Sequence, residues 1–139
     1  MGRSQREKGK LGEREAVHLI REIFGIDSAH RTAQRCGKLG MADVQAVPGL
    51  HIEVKRRRGI HCEAFLKQAE TDALAGEVPV VLMRGDKSPR WMVLLEARTV
   101  LPAIERLAAA MAVAKASSVE VGSCAAVCGG STGPGRGEE

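Results

Sequence analysis

The sequence predicts a single α/β domain, and three observations carry that reading. At 139 residues the chain has the size of one domain with an ordinary core. Hydrophobic residues make 44% and charged residues 27%, the balance of a chain that buries a core and keeps a charged surface. Stretches with helical spacing alternate along the chain with short apolar stretches of strand spacing.

Residues 1–10, MGRSQREKGK, read as a flexible basic arm. From Leu11 to Phe24, Ala16, Val17, Leu19, Ile20, Ile23 and Phe24 recur at spacings of three and four, which predicts a helix that Gly25 stops. Residues 27–41 have weak periodicity and carry Arg31, Arg35 and Lys38; a short strand and a loop ending in Gly37-Lys38-Leu39-Gly40 fit there. Ala42 to Val47 reads as a strand, Pro48-Gly49 as a turn, and Leu50 to Lys55 as a second strand. In that strand Leu50, Ile52 and Val54 share one face, and His51, Glu53 and Lys55 share the other. A helix over Glu63–Ala75, with Phe65, Leu66, Ala69 and Ala73 on its apolar face, ends at Gly76. Strands follow at Val78–Met83 and Trp91–Leu95, with Trp91 assigned to the core, and a last Ala-rich helix runs from Pro102 to Lys115. Residues 116–139 read as a disordered Gly/Ser-rich tail. The predicted order is α-β-β-α-β-β-α, a small mixed sheet flanked by helices.

Composition removes several function classes. No apolar run approaches the roughly 20 residues that cross a bilayer. The polar, basic start has no apolar stretch behind it, so an intracellular chain that is not secreted is expected, with free thiols rather than a disulfide framework. Two Phe, one Trp and no Tyr argue against modules that stack bases along aromatic platforms. The net charge of +4 is unevenly placed: residues 1–60 have a balance of +6 and residues 61–139 of −2. A basic front half suggests a polyanionic partner, nucleic acid first.

Carboxylates fall where apolar residues are expected. On a helical wheel Glu13 lines up with Val17, Ile20 and Phe24, whereas Glu15 and Glu22 lie opposite. A carboxylate on a buried face is costly unless it is paired or binds a metal. Asp43 opens an apolar strand, and Glu53 and Lys55 alternate with Leu50, Ile52 and Val54. Read singly, these are a first-turn Glu and the surface charges of an antiparallel pair. Read together, two strands joined by a tight turn bring Asp43, Glu53 and Lys55 close, with Glu13 within reach. Mg²⁺, with Mn²⁺ as the alternative, takes a few carboxylates plus waters and phosphate oxygens. Asp43 and Glu53 would supply the direct oxygens and the backbone carbonyl of Val54 a third. Lys55 would stand beside the attacking hydroxide, so the chemistry is that of a metal-dependent phosphodiesterase.

The constellation Glu13…Asp43…Glu53-Val54-Lys55 resembles the PD-(D/E)XK nuclease superfamily. Within it, the chain looks most like the archaeal-type Holliday junction resolvases and their phage relatives. Lys8-Gly9-Lys10-Leu11-Gly12-Glu13-Arg14 fits the family's entry motif, which selects Glu13 over Glu15. Gln68-Ala69-Glu70 fits the Gln-Ala-Glu of its next helix and places Gln68 near the site. The resemblance covers roughly residues 6–97 and departs from the pattern at Ala42, where the superfamily often has Pro. It implies a restriction-endonuclease-like core. It further implies a Mg²⁺-dependent endonuclease for branched DNA in recombination and repair, acting as a homodimer. Glu13, Asp43, Glu53, Lys55 and Gln68 would be its catalytic residues, with Glu13 reaching the metal through a water. Nucleases for ends, nicks or flaps, and a non-catalytic DNA-binding module, are the alternatives.

Phosphate contacts are expected from Arg3, Arg6, Lys8 and Lys10 in the arm and from Arg56, Arg57 and Arg58 beside the site. His51 shares the strand face of Glu53 but is left out of the ligand set. Cys124 and Cys128 lie in a Gly-rich stretch without a nearby His, so zinc is not expected there. Cys36 and Cys62 read as buried thiols or bystanders.

Overall fold

A computed structural model describes residues 3–32 and 40–124. Its elements are α1 (Arg3–Phe24), β1 (His30–Arg31), β2 (Val44–Gln45), β3 (Leu50–Arg57), α2 (Cys62–Asp72), β4 (Val78–Gly85), β5 (Met92–Leu94), a 3-10 turn (Ala97–Thr99) and α3 (Val100–Cys124). The fold is α/β, with three helices on a five-stranded mixed sheet of order β1-β2-β3-β4-β5.

Every neighbouring pair is antiparallel except β3 and β4, which run parallel from Leu50↔Val78 to Arg57↔Gly85. A parallel pair needs a crossover, and α2 provides it. The two long strands are therefore covered on both faces. On one face Ala16, Val17 and Ile20 of α1 pack on Val44, Ile52, Val54 and Leu82, with Leu107 and Met111 of α3 closing the layer. On the other, Ala69 of α2 packs on Val81 and Met83, flanked by Phe65 and Leu66. The alternation in β3 is as predicted. Its charged face does not look into solvent, however, and His51, Glu53 and Lys55 are all buried.

Two glycines shape the ends that matter. Gly49 turns the chain between β2 and β3 at φ +80°, a conformation that costs most other residues energy. Its carbonyl accepts a bond from Arg106 Nη1, and Arg106 Nη2 donates to the Gly76 carbonyl 2.9 Å away, so one α3 side chain ties two turns. Gly12 marks where α1 crosses β3. A Cβ there would lie 3.1 Å from Arg56 Cβ and 3.8 Å from Val54 Cγ1. Gly12→Ala gains roughly 1 kcal/mol of helix propensity that offsets the tight contact. Gly12→Val adds bulk that cannot fit, and a loss of about 1–3 kcal/mol is expected, read as a drop of several degrees in Tm.

Helices and strands otherwise lie within a few residues of the predicted bounds, but three elements depart further. Helix α1 begins at Arg3, so residues 3–10 are its first turns, exposed from Ser4 onward, where a flexible arm is expected. Arg, Gln, Glu and Lys are good helix formers, but a stretch without an apolar stripe gives periodicity nothing to register. Helix α3 runs to Cys124 rather than Lys115, because Ala and Ser residues continue the helix beyond the apolar stripe and residues 116–119 are exposed. The strand expected over 42–47 is paired only at Val44–Gln45, flanked by the bonds Asp43 N–H to Ile52 O and Thr32 N–H to Asp43 O. The loop at 37–39, Cys36, Cys128 and the remainder of the expected tail lie outside the described residues. Cys62 is a free, exposed thiol rather than a buried one. Trp91 is partly buried against the core, with the Arg84 guanidinium 5.4 Å above its ring centroid. Among the described residues no helix is long and apolar enough to cross a membrane.

Candidate active site

The antiparallel register of β2 on β3 puts Asp43 beside the middle of β3. Asp43 Oδ2 accepts the Val54 N–H at 2.8 Å, a bond that fixes the carboxylate against the strand that bears Glu53 and Lys55. The side chains of Glu53 and Lys55, two residues apart, leave the same face of β3. The Lys55 ammonium donates to Glu53 Oε1 at 2.5 Å and to Gln68 Oε1 at 3.0 Å. Gln68 Nε2 closes the triangle with a 3.3 Å bond to Glu53 Oε1. Helix α2 can bring Gln68 there because Ala69, its fully buried neighbour, seats the helix directly on the sheet. Glu13 reaches the same end of the sheet from α1 and is 9% exposed, as its place on the wheel predicts. The structure thus brings together all five residues singled out from the sequence.

The electrostatics are unfavourable by design of the fold. The Asp43 carboxyl is held above its ordinary value, chiefly by burial and further by the nearby Glu13 charge. The Val54 N–H and the Lys55 ammonium pull the other way. The Glu53 carboxyl is also raised, first by burial and then by Asp43, against the pull of Lys55. Two buried carboxylates facing each other with one ammonium between them leave an excess of negative charge.

Glu13 is not left bare. Arg31 Nε and Nη2 both bond its Oε2, the first at 2.8 Å. Arg31 comes from the two-residue strand β1, in a stretch whose periodicity pointed to no role. Glu15 does not face solvent either. Its Oε1 is 3.1 Å from Arg56 Nη1 and its Oε2 is 3.4 Å from Arg84 Nη2. Asp86 takes Lys8 at 3.3 Å and lies 3.8 Å from Arg56 Nε. Of the residues expected to contact phosphate, Lys8 and Arg56 are thus partnered within the chain, whereas Arg6, Lys10, Arg57 and Arg58 are exposed. Arg3 stands at the first position of α1. All but Arg3 line one open pocket of about 780 Å³, and Glu13, Asp43, Glu53 and Lys55 form part of the same wall. His51 continues the Glu53 face, fully buried, with Nδ1 3.5 Å from Glu77 Oε2.

Among the described residues, no group of three His, Cys, Asp or Glu converges as a metal site. The donor set expected from the sequence is Asp43, Glu53 and the Val54 carbonyl, all oxygens. That set suits Mg²⁺, which is commonly held by one or two carboxylates and completed by water and substrate phosphate. It suits Zn²⁺ less well, since that ion favours Cys and His ligands and neither is among the three donors. Comparison with protein-family models, with curated proteins and with solved structures found no match to this chain.

Proposed function

We propose that the chain is a Mg²⁺-dependent endonuclease with a restriction-endonuclease-like core. In this reading it hydrolyses phosphodiester bonds in branched DNA, as the resemblance to Holliday junction resolvases implies. The observation that carries the reading is the Asp43–Glu53–Lys55 group. Two carboxyls are raised chiefly by burial, Asp43 is fixed by the Val54 N–H, and both open to a pocket whose other wall is cationic.

Asp43, Glu53 and the Val54 carbonyl would hold the cation. When bound, it would lower the pKa of its water and offset charge on the phosphate. Lys55 stands beside Glu53, where its ammonium can steady a hydroxide or the charge that builds on phosphorus. Gln68 holds Lys55 in that position. Arg31 holds the Glu13 carboxylate in place at the edge of the site. Arg6, Lys10, Arg57 and Arg58 would take the backbone on either side without reading bases.

Arg57→Ala with Arg58→Ala is expected to weaken DNA binding and to lower the slope of log affinity against log salt by about 2, one unit per lost phosphate contact. A salt titration of binding checks it. Two symmetric cuts in a four-way junction call for two sites, hence a two-fold homodimer. Exposed Leu101 and Ile104, about one turn apart on α3, give an apolar patch for that contact. Sedimentation, together with competition between a four-way junction and a linear duplex of the same sequence, tests this. A dimer that prefers the junction supports the resolvase reading. A monomer that cuts both alike removes that reading and favours a nuclease for ends, nicks or flaps.

A further inference from the structure

The pocket holds one feature that phosphodiester hydrolysis does not use. His61 and Phe65, one turn apart at the start of α2, line the same pocket as Asp43, Glu53 and Lys55. Their rings meet edge to face, centroids 6.2 Å apart and planes at 86°. Phe65 is held from behind by the cluster of Ala69, Val81 and Met83. His61 is exposed and makes no side-chain capping bond to its own helix, so its ring is not committed to holding α2 in place. Gly59 lies against it: a Cβ there would come within 3.2 Å of His61 Nε2. The Arg57-Arg58-Gly59 turn and the aromatic pair therefore form one surface.

We infer that His61 and Phe65 form a stacking site for one unpaired nucleobase next to the phosphate held at Asp43 and Glu53. The inference rests on the DNA-hydrolysing reading above and names the substrate feature that the site selects. An aromatic ring face, set by its edge-to-face neighbour and lying beside a cationic turn, fits a ligand that carries a phosphate and a π face together, which is a nucleotide. Inside an intact duplex both faces of a base are covered by its neighbours. Only a base at a branch, flap, nick or mismatch can meet Phe65. Scarce aromatics argue against a run of platforms along a strand, but a single base needs only one pair.

The test is binding in EDTA, so that no strand is cut. The probes are a duplex with one unpaired 2-aminopurine and its fully paired counterpart. The wild type is expected to prefer the unpaired probe by about tenfold, the usual worth of one base stacked on an aromatic ring. Binding is expected to quench its 2-aminopurine fluorescence. Phe65→Leu keeps an apolar side chain on Ala69 and Met83 and is expected to lose both the preference and the quenching. His61→Ala, at an exposed position, is expected to reduce both without cost to folding. Preference and quenching that persist in both variants overturn the stacking site and leave the nuclease reading standing. A wild type that binds neither probe overturns both.

Discussion

Asp43→Asn, Glu53→Gln and Lys55→Ala are each expected to lower DNA cleavage by about 10²-fold or more, the usual cost of removing a metal ligand or a group that offsets transition-state charge. The two carboxyl variants remove a donor oxygen of the proposed cation site while keeping the side chain's shape. Lys55→Ala takes away the ammonium beside Glu53 and the donor to Gln68 Oε1. DNA affinity should change little, because Arg6, Lys10, Arg57 and Arg58 remain. Single-turnover cleavage alongside binding in EDTA separates the two quantities. Asp43→Asn cutting at the wild-type rate would place the chemistry elsewhere.

The second large effect is on stability. Asp43 and Glu53 bind protons more tightly folded than unfolded, since burial raises both carboxyls, aided by Glu13 beside Asp43 and by Asp43 beside Glu53. The folded state therefore carries more bound protons above the ordinary values of 3.8 and 4.5, and stability falls as pH rises through that window toward the raised values. At neutral pH the metal-free protein bears the full cost. Asp43→Asn is thus expected to melt at a higher temperature than the wild type in EDTA at pH 7, and to flatten the decline with pH. Mg²⁺ is expected to stabilise the wild type at pH 7, by about 2.7 kcal/mol at a hundredfold excess over its dissociation constant. The gain should shrink as acid protonates the pair, and it should be absent in Asp43→Asn. Thermal melts across pH, with Mg²⁺ or EDTA, check each part. A variant less stable than the wild type at pH 7 in EDTA would contradict the electrostatic picture.

The site was more legible in the sequence than the fold's borders. Glu13 breaks the apolar stripe of Ala16, Val17 and Ile20, and a stripe broken by a charge is visible on a wheel. Glu53 and Lys55 are visible through the period-2 alternation of β3, and Asp43 through its place at the head of a paired strand. The alternation alone could not tell that their face is buried, because that depends on α2 crossing to make β3 and β4 parallel. Periodicity also missed the first turns of α1 and the last turns of α3, where no apolar stripe repeats and residues 4–10 and 116–119 are exposed. Arg31 was illegible for a different reason. Its pairing with Glu13 joins residues 18 apart through a strand of only two residues. Glu15 was placed opposite the apolar face, correctly, but that side of α1 meets Arg56 and Arg84 from β3 and β4. A wheel records direction from one helix axis and says nothing of which charged side chains arrive from other strands.

The central claim is that Asp43 and Glu53 hold a divalent cation that cuts DNA. The most direct measurement incubates the protein with an end-labelled four-way junction and a linear duplex of the same sequence, in Mg²⁺ and in EDTA. Endonucleolytic cleavage of the junction in Mg²⁺, absent in EDTA and absent in Asp43→Asn, is the predicted result. No cleavage in Mg²⁺ or Mn²⁺, or cleavage that EDTA leaves untouched, would contradict the claim.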